Sequence, residues 1–292
     1  MDRYTIYGDL GARDTVALTT TLVAKGLGVE FVSETASLSL ALASRAGSVS
    51  GPYLRTPEGF VLSDLHTMLD WIERMHPEPR LMPSAPVRRT CARLLEDWLE
   101  LWLPLWPRRS WATLERVGTH LDVAGFLLGH SPCRPDWLLA AWLETEVLVH
   151  DHARAHLARC APRLVSLGND LLESSTAEPA DPSDPLDDVI PISLLVLLEE
   201  IAGDYHAYLA GNHRALKDRL DRVVLDLGLG RRALPVRRRC EERRVEIGRE
   251  LGCLGRLERR DVRRVLEPVG AWHTLTLPSV LSEIDPTDPR SL

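Results

Sequence analysis

In this 292-residue chain the spacing of the residues able to do nucleophilic, acid–base or metal chemistry limits what they can do. His150, Asp151, His152 and His156 fall close together, and His152 and His156, four apart, share one face of a helix. That spacing suits a metal ion, but the H-E-x-x-H arrangement of a metalloprotease is absent, so solvent-facing or internally satisfied histidines and no metal are expected. Cys91, Cys133, Cys160, Cys240 and Cys253 are odd in number and widely spaced, with no C-x-x-C. They read as reduced thiols in a cytoplasm rather than as a disulfide framework or a zinc site. Leu227-Gly228-Leu229-Gly230 lacks the G-K-[ST] ending of a phosphate-binding loop and reads as a helix terminator. No G-x-S-x-G nucleophile elbow occurs.

The bulk composition sets the frame for these residues. Hydrophobic residues make up 45% and charged residues 26%, a globular balance that excludes disordered and collagen-like chains. The length suggests two domains. The longest aliphatic run, Leu194 to Leu198, is far short of a membrane span. No apolar stretch follows Met1-Asp2-Arg3, so no signal peptide is expected. A formal net charge of -7 argues against nucleic acid as a partner. The stretch from Arg214 to Arg264 runs the other way, with 17 Lys+Arg against 9 Asp+Glu. Solvated helical faces of mixed charge are expected there, an acidic partner being the alternative.

The elements that must position a site follow from periodicity and turn chemistry. Tyr4 to Tyr7 and Val29 to Val32 read as short strands, separated by a helix from Asp14 to Lys25 that ends at Gly26. Leu38 to Arg45 is a short helix. Tyr53-Leu54-Arg55 and Phe60-Val61-Leu62 flank Thr56-Pro57-Glu58-Gly59 as a hairpin. Asp64 can cap a helix carrying Leu65, Met68, Leu69, Ile72 and Met75 on one face. The order β-α-β-α-β-β-α fits a small α/β domain over residues 1–80. Pro77, Pro79, Pro83 and Pro86 mark a linker. Residues 87–292 then read as all-helical: 87–103, 111–128, 137–156 with Asp136 as N-cap, 190–227 and 234–257, with an exposed loop near 174–188 and a loose end after Leu277. Trp98, Trp102, Trp106 and Trp111 are expected to fill core or interface.

Taken together, these patterns resemble the cytosolic glutathione transferases, whose α/β thioredoxin-like N-terminal domain is followed by an all-α C-terminal domain. Tyr7-Gly8 through Lys25-Gly26-Leu27 resembles that family's first strand–loop–helix. Pro52, seven residues before Gly59, stands where the family has a cis-proline. Asp64-Leu65 occupies the place of its acidic-Ser pair. Trp71-Ile72-Glu73 to His76-Pro77, Leu81-Met82-Pro83, and Gly129 to Trp137 with Asp136 resemble its helix end, linker and central-helix capping motif. The match runs to about residue 170.

The resemblance implies binding of glutathione or a related thiol and its conjugation to a small hydrophobic electrophile, in a cytoplasmic homodimer with no membrane partner. Gly51 would offer main-chain groups to the ligand, Pro52 would hold the turn, and Asp64 would meet the ligand's ammonium. Leu65 replaces the usual serine. The usual thiol-activating Ser or Cys falls on Ala12, which has no donor. Arg13 and Tyr7 are the candidates to take over catalysis. The alternative is a non-catalytic binding or interaction module that keeps the fold.

Overall fold

The computed structural model describes residues 3–33, 36–48, 51–103, 110–176, 188–226 and 230–283. It begins β1 (Arg3–Gly8), α1 (Arg13–Ala24), β2 (Gly28–Ser33), α2 (Ala36–Ala46), β3 (Tyr53–Arg55), β4 (Val61–Leu62), α3 (Leu65–Met75), in the order expected. Helices α4 (Pro86–Leu101), α5 (Ser110–Ala124), α6 (Arg134–Trp142), α7 (Asp151–Cys160), α8 (Pro162–Thr176), α9 (Ile192–Ile201) and α10 (Ala207–Lys217) follow. The hairpin β5 (Arg222–Asp226) and β6 (Arg231–Pro235) then leads to α11 (Arg238–Cys253), α12 (Arg256–Leu266) and α13 (Ala271–Leu275). The chain divides into two compact units, Met1–Pro83 with Trp111–Pro182, and Ser84–Ser110 with Ser183–Leu292.

In the first unit the aromatic and β-branched run Tyr4-Thr5-Ile6 makes β1 the buried centre of a four-stranded sheet ordered β2-β1-β3-β4. β1 runs parallel to β2 and antiparallel to β3, and β4 closes an antiparallel hairpin with β3. This is a thioredoxin-like arrangement. The hairpin turns at Thr56 to Gly59, where the Gly59 N–H donates to the Thr56 carbonyl at 2.9 Å and φ of Gly59 is 92°. α3 buries Leu65, Met68, Leu69 and Ile72 of the face read from the sequence, whereas Met75, its last residue, is exposed.

Lys25, just beyond α1, ties the sheet layer to the chain that leaves it. Its ammonium is fully buried, 2.9 Å from Glu73 on α3, and donates to the carbonyls of His76 at 2.7 Å and Pro79 at 2.8 Å. Burial pushes its pKa down, and Glu73 pulls it back up. The other Glu73 oxygen accepts from the N–H groups of Leu81 and Met82.

The remaining helices of this unit differ from the expectation: α5 stops at Ala124 rather than Leu128, and α8 has no counterpart in the reading. Asp136 is not the N-cap: Cys133 is, and Asp136 sits in the first turn of α6. Its carboxylate accepts from the N–H of Cys133 at 2.9 Å and of Leu127 at 2.8 Å, clamping the preceding loop onto the helix start. Full burial pushes its pKa up to about 6, against the pull of those hydrogen bonds. The long helix read over 137–156 is also broken, passing through a π-turn at Leu143–Val147 before α7 restarts at Asp151.

Among its described residues the second unit is helical apart from one hairpin, which corrects the readings of an unbroken helix to Leu227 and of a helix starting at Leu234, since α11 starts only at Arg238. The chain leaves α10 at Lys217, and Val223 of β5 faces Leu234 of β6 across an antiparallel ladder. Residues 227–229 lie outside the described residues, as do most of the loop read near 174–188, Trp106 and the end after 283. Trp98 and Trp102 are core residues, and Trp102 packs on the rings of Tyr205 and Tyr208 with centroids 5.6 and 5.2 Å away.

Several of the arginines between 214 and 264 are committed to internal pairs. α4 and α11 face each other through Arg93–Glu250 at 3.3 Å, Arg239–Glu100 at 2.6 Å and Arg243–Asp97 at 3.5 Å. Arg244 and Glu241, neither exposed, pair at 2.6 Å, and Arg244 also donates to the carbonyls of Thr274, Leu277 and Pro278. Among the described residues, no helix is long and apolar enough to cross a membrane.

One buried group adds acid sensitivity to this unit. His206, at the end of a π-turn and 2% exposed, has its pKa pushed down to about 4 by burial, partly offset by its hydrogen bond with the Ala271 backbone. In an unfolded chain a histidine titrates near 6.5. Between pH 6.5 and 4 the unfolded form therefore holds a proton that the folded form rejects. Stability present above pH 6.5 should fall as the pH drops towards 4. NMR titration should place the ring near 4, and His206→Gln should flatten the stability profile over that window.

Candidate functional site

At one end of the sheet of the first unit, β1, β3 and the start of α3 come together. The Gly51–Pro52 peptide is cis. Continuing the β1–β3 register one step beyond Tyr7–Tyr53 places Gly8 beside Pro52. Continuing the β3–β4 register places Pro52 opposite Asp64. The close approach is real: a Cβ on Gly8 would lie 3.2 Å from the Pro52 Cβ and 2.9 Å from the Thr15 hydroxyl oxygen. Only glycine lets β1 finish against both.

Two helices begin at that same end. Asp64 is the N-cap of α3, and its carboxylate accepts from the Thr67 N–H and hydroxyl, both at 2.9 Å. Its φ of 76° and ψ of 114° are a conformation that a non-glycine residue adopts at a cost of about 1–3 kcal/mol. Such strain is held in place by surrounding structure and clusters at ligand-binding positions. Leu65, the next residue, is buried among the apolar side chains of α3 and presents no polar group. Ala12 is the N-cap of α1, with extended backbone and no side-chain hydrogen bond to the first turn. The first-turn N–H groups of an uncapped helix carry partial positive charge and favour an anion.

The two residues proposed to replace a catalytic hydroxyl are placed differently. Arg13 opens α1, partly exposed, and its guanidinium pairs with the neighbouring Asp14 at 2.8 Å. Tyr7 is 7% exposed and belongs to a cluster with Leu42 and Tyr53, the Arg55 guanidinium lying 5.9 Å from its ring centre. Gly51 is exposed and Pro52 buried.

Thr15 was not singled out from the sequence. It carries the hydroxyl that the first turn of α1 has in place of one at position 12. That hydroxyl is buried, with no hydrogen-bond partner among the described residues, and it lies against Gly8. The available signal was its spacing, three residues after Ala12, which puts both on one face of the helix start.

The histidine cluster separates. His150 precedes α7, its ring stacked on that of His152, while His156 turns to α5, its Nε2 3.2 Å from the Glu115 carboxylate.

No family model matches this chain, and no curated protein matches it. Solved structures similar to it include glutathione S-transferases. One from Methylobacterium radiotolerans, in complex with glutathione sulfonate, is 19% identical, with a TM-score of 0.47 over 61% of this chain and 97% of that one. One from rice, in complex with glutathione, is 18% identical, with a TM-score of 0.48 over 61% of this chain and 92% of that one. A glutathione transferase homolog from Burkholderia, with bound glutathione, is 18% identical, with a TM-score of 0.42 over 59% of this chain and 99% of that one.

Proposed function

We propose that this protein binds glutathione, or a closely related thiol, at the sheet end where Gly8, Pro52 and Asp64 lie side by side. The observation that carries the reading is the convergence there of the starts of α1 and α3 with a strained acidic N-cap. Glutathione has two carboxylates, one ammonium and one thiol, so its recognition needs both signs of charge and a main-chain edge. The first turns of α1 and α3 favour its anionic groups. Asp64 supplies the negative charge for the ammonium. Gly51, exposed just before β3, offers backbone groups along which the extended ligand can add like a strand.

If the bound thiol ionises, it can attack a hydrophobic electrophile, since the thiolate is the nucleophile. In that reading Tyr7 or Arg13 assists, the protein acts as a cytoplasmic homodimer, and its product is the thioether conjugate. Ala12 and Leu65 favour a second reading, a module that binds the thiol without accelerating its chemistry. Neither offers a hydroxyl, and Arg13 is already engaged with Asp14.

Calorimetric titration with glutathione tests the binding. Asp64→Asn keeps an oxygen for the Thr67 N–H and tolerates positive φ, while removing the charge. Losing a charged hydrogen bond costs roughly 1.5–3 kcal/mol, so affinity should drop about 10- to 100-fold with the unfolding midpoint little changed. Absence of heat at millimolar glutathione in the unaltered protein would reject the site.

A further inference from the structure

We propose that Glu115, His156 and Cys160 form a binding site for a divalent transition-metal ion of zinc type. The three side chains come from two helices of the first unit and offer one oxygen, one nitrogen and one sulfur. All three donor atoms lie within 4.8 Å of one another. Glu115 Oε1 and His156 Nε2 are already 3.2 Å apart. In a tetrahedral site with metal–ligand bonds of about 2.0–2.3 Å, donors sit about 3.3–3.8 Å from each other. Small rotamer shifts, with the Cys160 thiol leaving the His156 carbonyl it meets at 3.2 Å, would close the triangle.

The surroundings hold the donors in place. His156 and Cys160 are four residues apart on α7, so one turn of helix separates them and both face α5. Trp111 at the start of α5 meets the His156 ring edge-on at 4.7 Å, limiting its rotation. α5 itself lies unusually close to the end of α7: a Cβ on Gly118 would fall 2.5 Å from the Ala161 Cβ. Gly118 is three residues from Glu115, and Ala161 follows Cys160, so this contact sets the spacing of the two ligand-bearing segments.

The donor set selects the class of metal. Thiolate and imidazole favour borderline-soft ions such as Zn²⁺ or Co²⁺ over Mg²⁺ or Ca²⁺, which take oxygen ligands. Cys160 is exposed and the other two are partly so, which leaves a fourth position for water or an external ligand. His152, one turn before His156 on α7, is not part of the triangle. The site shares no residue with the sheet end discussed above and does not depend on that assignment.

Cobalt(II) titration of the full chain, kept reduced with a phosphine, tests the inference directly. The expected result is one equivalent bound, with a thiolate-to-cobalt charge-transfer band and ligand-field bands of four-coordinate intensity, both lost when Zn²⁺ is added. Cys160→Ser should abolish the charge-transfer band. Cys253→Ser, which removes the other exposed cysteine, should leave it intact. Gly118→Ala keeps every ligand but forces α5 and α7 apart, and should weaken binding by about 10-fold, as loss of supporting contacts does at metal sites. Circular dichroism of each variant checks that the fold is retained. Failure of the unaltered protein to develop the charge-transfer band, or its persistence in Cys160→Ser, would overturn the proposal.

Discussion

Replacing Lys25 with methionine should lower the stability of the first unit by about 3–5 kcal/mol, the usual cost of removing one partner from a buried ion pair. The Lys25 side chain has no exposure, and its ammonium touches one carboxylate and two carbonyls drawn from α3 and the chain after it. Methionine preserves most of the volume, so packing is not the main loss. What remains is Glu73, only 18% exposed, with a charge no longer met by a cation, and two carbonyls without their donor. Glu73 also accepts the Leu81 and Met82 N–H groups, so its displacement would loosen the exit from α3. Urea unfolding followed by tryptophan fluorescence measures the change. The double variant Lys25→Met/Glu73→Gln should recover about 0.5–3 kcal/mol of the summed losses, because the two residues are in contact. Losses that simply add would show that the pair is not energetically coupled.

The same residue shows how far a sequence can be read. Lys25-Gly26-Leu27 is visible as a helix end because glycine there takes a positive φ, 67° in the structure. That the lysine reaches inward to Glu73 is invisible, since the partners are 48 and more residues away. The first 80 residues were legible for a local reason: each strand, turn and amphipathic face announces itself within a few positions, as Thr56 to Gly59 does. Asp64 as a cap was readable in the same way, but its positive φ was not, because the sequence names the residue and not the strain.

Beyond Pro83 the decisive contacts are distant. The carboxylate of Asp188 receives the N–H groups of Val87 and Arg88 at 2.8 and 2.9 Å, about a hundred residues back along the chain. Arg93 meets Glu250. Such pairs draw 84–110 together with 183–292, and nothing local to either segment signals it. The hairpin β5–β6 was missed because Val223-Val224-Leu225 is a short apolar run following a helix, which periodicity cannot tell from helix continuation. At the candidate metal triangle, the helix spacing of His156 and Cys160 could be read. Glu115 could not, because the approach of α5 at Gly118 brings it there.

Ala12→Ser should raise the rate of glutathione conjugation to an activated aryl chloride by about 10-fold or more, if the proposed thiol site is catalytic. A hydroxyl donating to a thiolate is a charge-assisted hydrogen bond worth roughly 1.5–3 kcal/mol, or one to two pKa units. Free thiols ionise near pH 8.5, so a shift of that size moves a bound thiol from mostly protonated to substantially ionised at neutral pH. Position 12 has extended backbone, φ −78° and ψ 135°, which is also the conformation of a serine N-cap. The new hydroxyl therefore has two acceptable roles, donating to a sulfur or accepting from a first-turn N–H, and the two are separable. Capping alone would stabilise the protein by about 0.5–2 kcal/mol and leave the thiol's ultraviolet titration where it was. Activation would shift that titration to lower pH and raise the rate in parallel. A hydroxyl can do both at once, accepting the N–H through a lone pair while its own proton faces the sulfur. A rise in stability with no change in titration or rate would assign catalysis to Tyr7 or Arg13, or leave the chain as a module that only holds its thiol.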